Sequence, residues 1–239
     1  MSTTHSLYPA SSRGLADHGW LKAAHTFSFA SYYDPKRMHF GVLRVINDDQ
    51  IAPGMGFGTH PHDNMEIITI VLEGALAHKD SMGNTSVILP GEVQVMSAGT
   101  GVTHSEFNAS ETYWTKLFQI WVLPNQKDVD PRYGQKKFDF TSKNQWVTIV
   151  ESMDTAKDSL GIYQNARFSM ATLSKGHELV YSKMSDVTKV FIMVISGSVD
   201  VDGYLLHDRD GIGITDVTDI KFTGVTEDVR VLVMDVAKN

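Results

Sequence analysis

Short β-prone runs separated by turn-forming residues dominate this chain and leave few folds open to it. Turn pairs such as Pro53-Gly54 and Pro90-Gly91 interrupt the apolar runs. Many short strands at close spacing are typical of an antiparallel sandwich or barrel, and no long stretch shows a helical period. The sequence therefore predicts an all-β protein with little helix. The runs in the first half are Phe40–Asn47, Met65–Leu72, Thr85–Leu89, Val93–Met96 and Leu117–Leu123.

A polar segment divides the chain into two halves. Residues 124–133 carry a proline near each end and no β-prone run, which is typical of a linker. The two halves also repeat each other faintly, because Met65–Gly74 resembles Thr188–Gly197 in its apolar run and closing glycine. We therefore predict two copies of one β-fold in tandem. Residues 1–125 form the first domain, residues 126–140 the linker and residues 141–239 the second domain.

Charge and cysteine content exclude several classes of function. The formal net charge of -7 and the lack of a long Lys/Arg run argue against direct nucleic-acid binding, while contact with a protein partner stays open. The chain has no cysteine, so disulfides, thiolate metal sites and a cysteine nucleophile are excluded. No apolar stretch reaches the length of a membrane span, and the polar N-terminus does not resemble a signal peptide. We therefore expect a cytoplasmic protein, monomeric and not bound to membranes.

His60 and His62 are the first candidate metal ligands. On an extended segment, residues i and i+2 project from the same face, so both imidazoles can reach one ion. Pro61 between them lacks a backbone N–H, which suits a strand end or a sheet edge. The alternative is a chance His-x-His pair.

His104 and Glu106 form a second pair with the same spacing. Together the two pairs supply three imidazoles and one carboxylate, a donor set that suits a borderline divalent metal. The alternative is two unrelated surface strands. Other histidines among polar or turn residues are interpreted as solvated or hydrogen-bonded: His5, His39, His78, His177 and His207.

Both pairs match motifs of the cupin proteins. The first motif surrounds His-x-His with glycines and a glutamate, and its residues here are Gly54, His60, His62, Glu66 and Gly74, with one extra residue before the last glycine. The second motif is matched by Gly101, His104 and Asn108, with Gly99 where a proline is usual. The chain therefore resembles a cupin.

Longer segments make the resemblance more specific. They are Asp17–Leu21, His25–Ala30, Tyr33–Pro35, Leu43–Asp49, Phe57–His62, Met65–Ile67, Asp80–Asn84 and Ser97–Glu106. Over nearly all of the first 125 residues, the chain resembles the pirin family, and bacterial pirin-like proteins in particular. The second half resembles the second pirin cupin only loosely.

The resemblance implies a bicupin of two tandem antiparallel β-barrels that face each other, with metal in the N-terminal barrel only. The implied ligands are His60, His62, His104 and Glu106. Glu66 stands where many cupins have their carboxylate ligand. The pirin pattern implies that Glu66 orients one of the metal ligands without contacting the metal itself. Direct contact with the metal is the alternative.

The second half agrees with a single metal site. The repeat aligns Lys183 and Ser185 with His60 and His62, and neither replacement matches an imidazole as a ligand for this kind of ion. No histidine follows His207, so the second motif has no counterpart there.

The donor set leaves Fe(II), Mn(II), Ni(II), Co(II) and Zn(II) open, and the resemblance favours iron. It also implies quercetin 2,3-dioxygenase activity, in which a small aromatic flavonol and O2 react with release of carbon monoxide and Glu106 acts as the base. Two alternatives belong to other classes: a regulator that uses the redox state of the metal to modulate a protein partner, and a cupin isomerase that needs no oxygen.

Apolar side chains near the motifs have two interpretations. They can line a mouth for a planar substrate, or they can pack the barrel core, which is the ordinary role of aromatic residues there. The candidates are Trp20, Phe27, Phe29, Phe57 and Met65.

Overall fold

The structure is a computed structural model that describes residues 4–238. These residues form 22 strands, and the helices among them amount to one 3-10 turn at Ala10–Ser12. The prediction of an all-β protein with little helix is confirmed. No helix within residues 4–238 has the length and hydropathy needed to cross a membrane.

The strands follow one another with short connections. In chain order they are β1 (Thr4–Tyr8), β2 (Gly14–Asp17), β3 (Leu21–His25), β4 (Leu43–Ile51), β5 (Gly56–His62), β6 (Glu66–Glu73), β7 (Leu76–Asp80), β8 (Thr85–Ile88), β9 (Glu92–Ser97), β10 (Val102–Asn108), β11 (Thr115–Val122), β12 (Arg132–Lys137), β13 (Val147–Ser152), β14 (Leu160–Ile162), β15 (Ala166–Leu173), β16 (Glu178–Ser182), β17 (Thr188–Ser196), β18 (Val199–Val201), β19 (Tyr204–Leu206), β20 (Gly211–Thr215), β21 (Asp219–Gly224) and β22 (Val229–Ala237).

The first unit comprises residues 14–138 and 160–164. Its larger sheet has the order β12-β9-β6-β11-β4-β3-β2, and its smaller sheet has the order β5-β10-β7-β8. The sheets pack on one another, because Leu76 and Ile88 of the smaller sheet share an apolar cluster with Val71 and Leu117 of the larger one. This packing turns the inner faces of β4, β6, β10 and β11 towards a common interior.

The second unit comprises residues 4–13, 139–159 and 165–238. Its larger sheet contains β1-β20-β17-β22-β15-β13 in that order, and its smaller sheet has the order β16-β21-β18-β19. Ile192 and Val231 of the larger sheet share an apolar core with Val199 and Phe222 of the smaller one. The two units thus repeat one architecture of a large and a small antiparallel sheet.

Two segments differ from the predicted division at residues 125 and 141. β1 belongs to the second unit, since it pairs with β20 from Thr4–Thr215 to Tyr8–Gly211. The predicted linker, residues 126–140, contains β12, which pairs with β9 in the first unit. The apolar pattern does not predict β12 because its residues are polar and half-buried, so no apolar run marks the strand.

Candidate metal centre

Two paired strands bring the predicted histidines together. β5 pairs with β10 so that His60 lies opposite His104. β5 is the edge strand of the smaller sheet, so the missing N–H of Pro61 breaks no hydrogen bond on the unpaired side of this strand. An extra residue in β5 shifts the register between His104 and Glu106. The ring centroids of His60, His62 and His104 lie 4.4–4.9 Å apart, and one ligand atom from each lies within 4.8 Å of the others.

The imidazoles of this cluster suit a divalent cation. His104 is 2% exposed, yet neither ring nitrogen has a hydrogen-bond partner among the described residues. His60 Nδ1 lies 2.8 Å from the carbonyl oxygen of Gly58, an arrangement that leaves Nε2 for an ion. Burial, aided by the neighbouring histidines, lowers the pKa of His104 to about 3 and that of His62 to about 4. Both rings therefore keep a free lone pair at neutral pH.

Glu106 lies beside the cluster but outside its set of three. Its carboxylate belongs to a second, overlapping group with His78 and His104, whose ligand atoms also lie within 4.8 Å of one another. The side chain is buried, and Gln119 Nε2 donates to both carboxylate oxygens at 3.2 and 3.0 Å. Burial raises the pKa of Glu106 to about 7. Glu106 can therefore serve as a carboxylate ligand or as a base.

Glu66 belongs to neither group of possible ligands within residues 4–238. Its carboxylate accepts a hydrogen bond from Ser97 Oγ at 2.7 Å rather than from one of the clustered imidazoles. Burial raises the pKa of Glu66 to about 7, against the opposing effect of that hydrogen bond.

His78 is the functional candidate that the sequence reading missed. Of the two expected roles, solvated or hydrogen-bonded, the structure agrees with the second, because β7 lies between β10 and β8 and buries His78 opposite Glu106. His78 Nε2 lies 3.2 Å from Asp80 Oδ2, and Nδ1 is buried without a partner among the described residues. The alternation of Leu76, His78 and Asp80 with two less buried residues is the signal that predicts an inward His78.

A cavity of about 380 Å³ opens onto the histidine cluster. Of the five predicted mouth residues, Trp20, Phe29 and Phe57 line it, whereas Phe27 is buried and Met65 is not among the lining residues. Trp121, which was not predicted, also lines the cavity and meets the ring of His62 edge-on at 4.9 Å. The cavity thus combines aromatic walls with a floor of imidazoles and a carboxyl group, which suits a flat apolar molecule with a polar edge.

One row of polar side chains crosses the larger sheet beside this cavity. The row joins residues that are paired in register on β3, β4, β11, β6 and β9, and all of them are buried: His25, Asn47, Gln119, Thr69 and Gln94. Thr69 Oγ1 donates to Gln119 Oε1 at 3.2 Å, which fixes the amide so that its nitrogen points to Glu106. Within this row, Thr69 and Gln119 hold the Glu106 carboxylate in place.

Models of known protein families match both halves of the chain. Residues 9–122 match the family model described as Pirin, and residues 149–236 match the model described as Quercetinase C-terminal cupin domain. The prediction of two cupin domains is thereby confirmed.

Individual relatives are similar over most of their length. A protein of Escherichia coli strain K12 named quercetin 2,3-dioxygenase is 46% identical over 210 residues, which cover 88% of this chain and 89% of the relative. A pirin-like protein of Caulobacter vibrioides is 44% identical over 230 residues, covering 96% of this chain and 98% of the relative.

Two solved structures are also similar to this chain over almost its whole length. YhhW from Escherichia coli is 42% identical with a TM-score of 0.94, and the match covers 99% of each chain. A structure of the bacterial pirin YhhW in complex with nickel(II) is 41% identical with a TM-score of 0.92, covering 99% of this chain and 100% of that one.

Proposed function

This chain belongs to the pirin family of cupin proteins, and from that premise we propose that it is a metal-dependent dioxygenase that cleaves a flavonol such as quercetin. The observation that carries the proposal is the convergence of His60, His62 and His104 at the floor of an aromatic cavity. The relative named quercetin 2,3-dioxygenase supports the same substrate class for this chain.

The ion would be held by His60, His62, His104 and Glu106. The first three converge, and Glu106 lines the same cavity and neighbours His104. When bound, a divalent metal lowers the pKa of a coordinated hydroxyl group and holds the reactants together. Iron(II) is the ion we propose, with Mn, Ni, Co and Zn as alternatives. The structure of YhhW in complex with nickel(II) supports a divalent ion for this chain.

Glu106 is proposed as the base that removes the proton of the flavonol 3-hydroxyl group. Burial raises the pKa of Glu106 to about 7 in the metal-free protein, so its carboxylate is a stronger base there than an exposed glutamate. To act as the base it leaves the metal transiently. Gln119 fixes the carboxylate through two hydrogen bonds. Loss of the proton leaves an electron-rich enolate that reacts with O2, so that both oxygen atoms enter the products and one ring carbon leaves as carbon monoxide.

The aromatic walls orient the substrate and exclude water. Phe29 meets Trp121 edge-on at 5.3 Å, and Trp20 meets Phe57 in the same way at 5.2 Å. These four rings present apolar surface to a planar molecule, while the polar floor receives its hydroxyl edge. Such orientation holds the reacting groups in one arrangement, so the reaction does not depend on their meeting by diffusion.

The test is metal analysis followed by oxygen uptake with quercetin. The iron-loaded protein should consume quercetin saturably, with one O2 taken up and one carbon monoxide released per turnover. Absence of oxygen uptake in the iron-loaded protein would overturn the proposal and favour a redox-sensing regulator.

Variants of Glu106 test its role as the base. Glu106→Ala should abolish turnover, with a loss on the order of 100-fold or more, since general bases contribute about that much to a rate. Gln119→Leu, which removes the two hydrogen bonds but keeps the carboxylate, should lower turnover less. Full activity of Glu106→Ala with metal bound would refute the role.

A further inference from the structure

The inner face of β4 carries a carboxyl group at a position where a core side chain is expected. Along this strand the inward positions are occupied by Leu43, Val45, Asn47, Asp49 and Ile51. On the opposite face Ile46 is also buried, whereas Arg44, Asp48 and Gln50 are less buried. A polar residue at an inward strand position costs stability unless it is partnered or used. Both polar residues of this face line the cavity above the histidine cluster.

Asn47 is explained by its partners in the fold. It lies in the polar row, and its Oδ1 is 2.8 Å from Nδ1 of His25. Gln119 is paired with it on the neighbouring strand. A buried amide with such neighbours has an ordinary structural role.

Asp49 has no comparable explanation. In register it lies between Ala23 and Leu117, two members of the apolar cluster, and Trp20 and Phe57 pack against that same cluster. The side chain is 5% exposed, and its Oδ1 is buried without a hydrogen-bond partner among the described residues. Nothing in that part of the fold uses this oxygen.

We propose that Asp49 is the group that recognises the substrate, donating a hydrogen bond to a carbonyl or phenolate oxygen of the aromatic molecule held in the cavity. The proposal rests on the proposed function, because it assigns the substrate to this same cavity. It makes Asp49 a specificity-determining residue: a planar aromatic molecule fits the walls, and one that also carries an acceptor oxygen is selected.

The chemistry of the site supports a donor role. Burial, reinforced by the nearby charges of Asp48 and Glu106, raises the pKa of Asp49 to about 8. Without a metal ion, the group is therefore mostly a neutral carboxylic acid at neutral pH, and this form has one O–H to donate. Neutral carboxylic acids that donate a hydrogen bond to a ligand oxygen in an apolar site are an established use of such burial.

The first test measures quercetin binding without oxygen, by quenching of tryptophan fluorescence in the metal-loaded protein. Asp49→Leu removes the donor at similar volume and should weaken binding roughly 10- to 100-fold, as expected for losing a strong buried hydrogen bond. Asp49→Asn keeps an N–H donor and should bind within about threefold of wild type. Gln50→Leu makes a polar-to-leucine change on the opposite face of β4, outside the cavity lining, and is the matched control, with binding unchanged.

In air, Asp49→Leu should raise KM by the same factor as it weakens binding, while kcat changes less. Equal quercetin affinity of Asp49→Leu and wild type would overturn the inference.

The second test uses thermal unfolding of the metal-free proteins and needs no substrate. If Asp49 serves a ligand, replacing it with leucine removes an unpaired polar group and should leave the unfolding temperature unchanged or raised. A lowered unfolding temperature would mean that Asp49 is a structural residue and would overturn the inference.

The two failures can be told apart. Failure of the wild-type protein to bind quercetin would overturn the proposed function. The unfolding temperatures of wild type and Asp49→Leu would then decide the role of Asp49 on their own.

Discussion

His104 is shared by both groups of possible ligands and is the most constrained side chain of the centre. A buried imidazole with two unpartnered nitrogens costs free energy that an ion would offset. His78 packs next to it, with ring centroids 5.4 Å apart, and is itself held by Asp80 Oδ2. The Asp80–His78 pair therefore restricts the position of the His104 ring.

His78→Ala should weaken metal binding without removing a member of the three-histidine cluster. Loss of the ring leaves space beside His104, and loss of such supporting partners costs about 10- to 100-fold in metal affinity. Cobalt(II) titration followed by visible absorption measures this affinity. His177→Ala changes an exposed histidine and is the control. An affinity for cobalt equal to that of wild type would show that His78 gives no such support.

Sequence reasoning at this scale succeeds where spacing alone fixes the geometry. His60 and His62 are two residues apart on one strand, so their convergence follows from the strand period. His78 and Asp49 are missed because their roles depend on which strand face points inward, and that is set by packing of the two sheets. Asp49 even lies within a segment that carries the family resemblance, yet nothing in the resemblance marks its carboxyl group, whose Oδ1 is buried without a hydrogen-bond partner among the described residues.

At the scale of elements, the centre depends on how closely β5 approaches β10. Gly56 permits this approach: a Cβ there would lie 2.2 Å from the backbone oxygen of Glu106 and 2.5 Å from Cα of Phe107. A side chain at this position would push the strands apart. Gly58, two residues along the same strand, has no heavy atom within 4 Å of an added Cβ.

Gly56→Ala should therefore destabilise the protein by about 1–3 kcal/mol, the usual cost of overpacking, and should also lower cobalt affinity. Gly58→Ala is the matched control and should change neither by much. Urea unfolding gives the free energy of unfolding, and the cobalt titration gives the affinity. Similar losses in the two variants would mean that strand spacing is not what Gly56 provides.

Two strands that the sequence does not predict, β12 and β1, form because of strand pairing and not because of an apolar composition. β12 is polar and half-buried, and β1 is largely exposed, so neither has the apolar run that marks β6 or β11. β12 is stabilised by its backbone hydrogen bonds to β9, and β1 by those to β20. Local sequence does not show such long-range pairing, and for this reason the boundaries of the two units differ from the predicted ones.

At the scale of the whole molecule, the two donor groups predict one ion for each chain. Both groups lie in the first unit and share His104, whose neutral ring has one lone pair to give. Cobalt titration should therefore saturate at one equivalent, and His104→Ala should remove binding at both groups. Saturation at two equivalents in wild type would contradict this sharing.

The stability of the metal-free protein should fall as the pH rises from about 6.5 to about 8. Below about 6.5, unfolding exposes His62 and His104, which bind protons only when unfolded, so falling pH destabilises the fold. Above that pH the histidines are neutral in both states. There the raised pKa values of Asp49, Glu66 and Glu106 matter, because the folded chain binds more protons than the unfolded chain.

The decline levels off where the folded groups themselves lose their protons, near pH 7 for Glu66 and Glu106 and near pH 8 for Asp49. Urea midpoints of the metal-free protein at several values between pH 6.5 and 8 measure the decline. Asp49→Asn cannot ionise and should give a flatter decline than wild type. Equal slopes for Asp49→Asn and wild type would show that Asp49 is already ionised in the folded protein at pH 6.5, in which case it has no carboxyl proton to donate to a substrate.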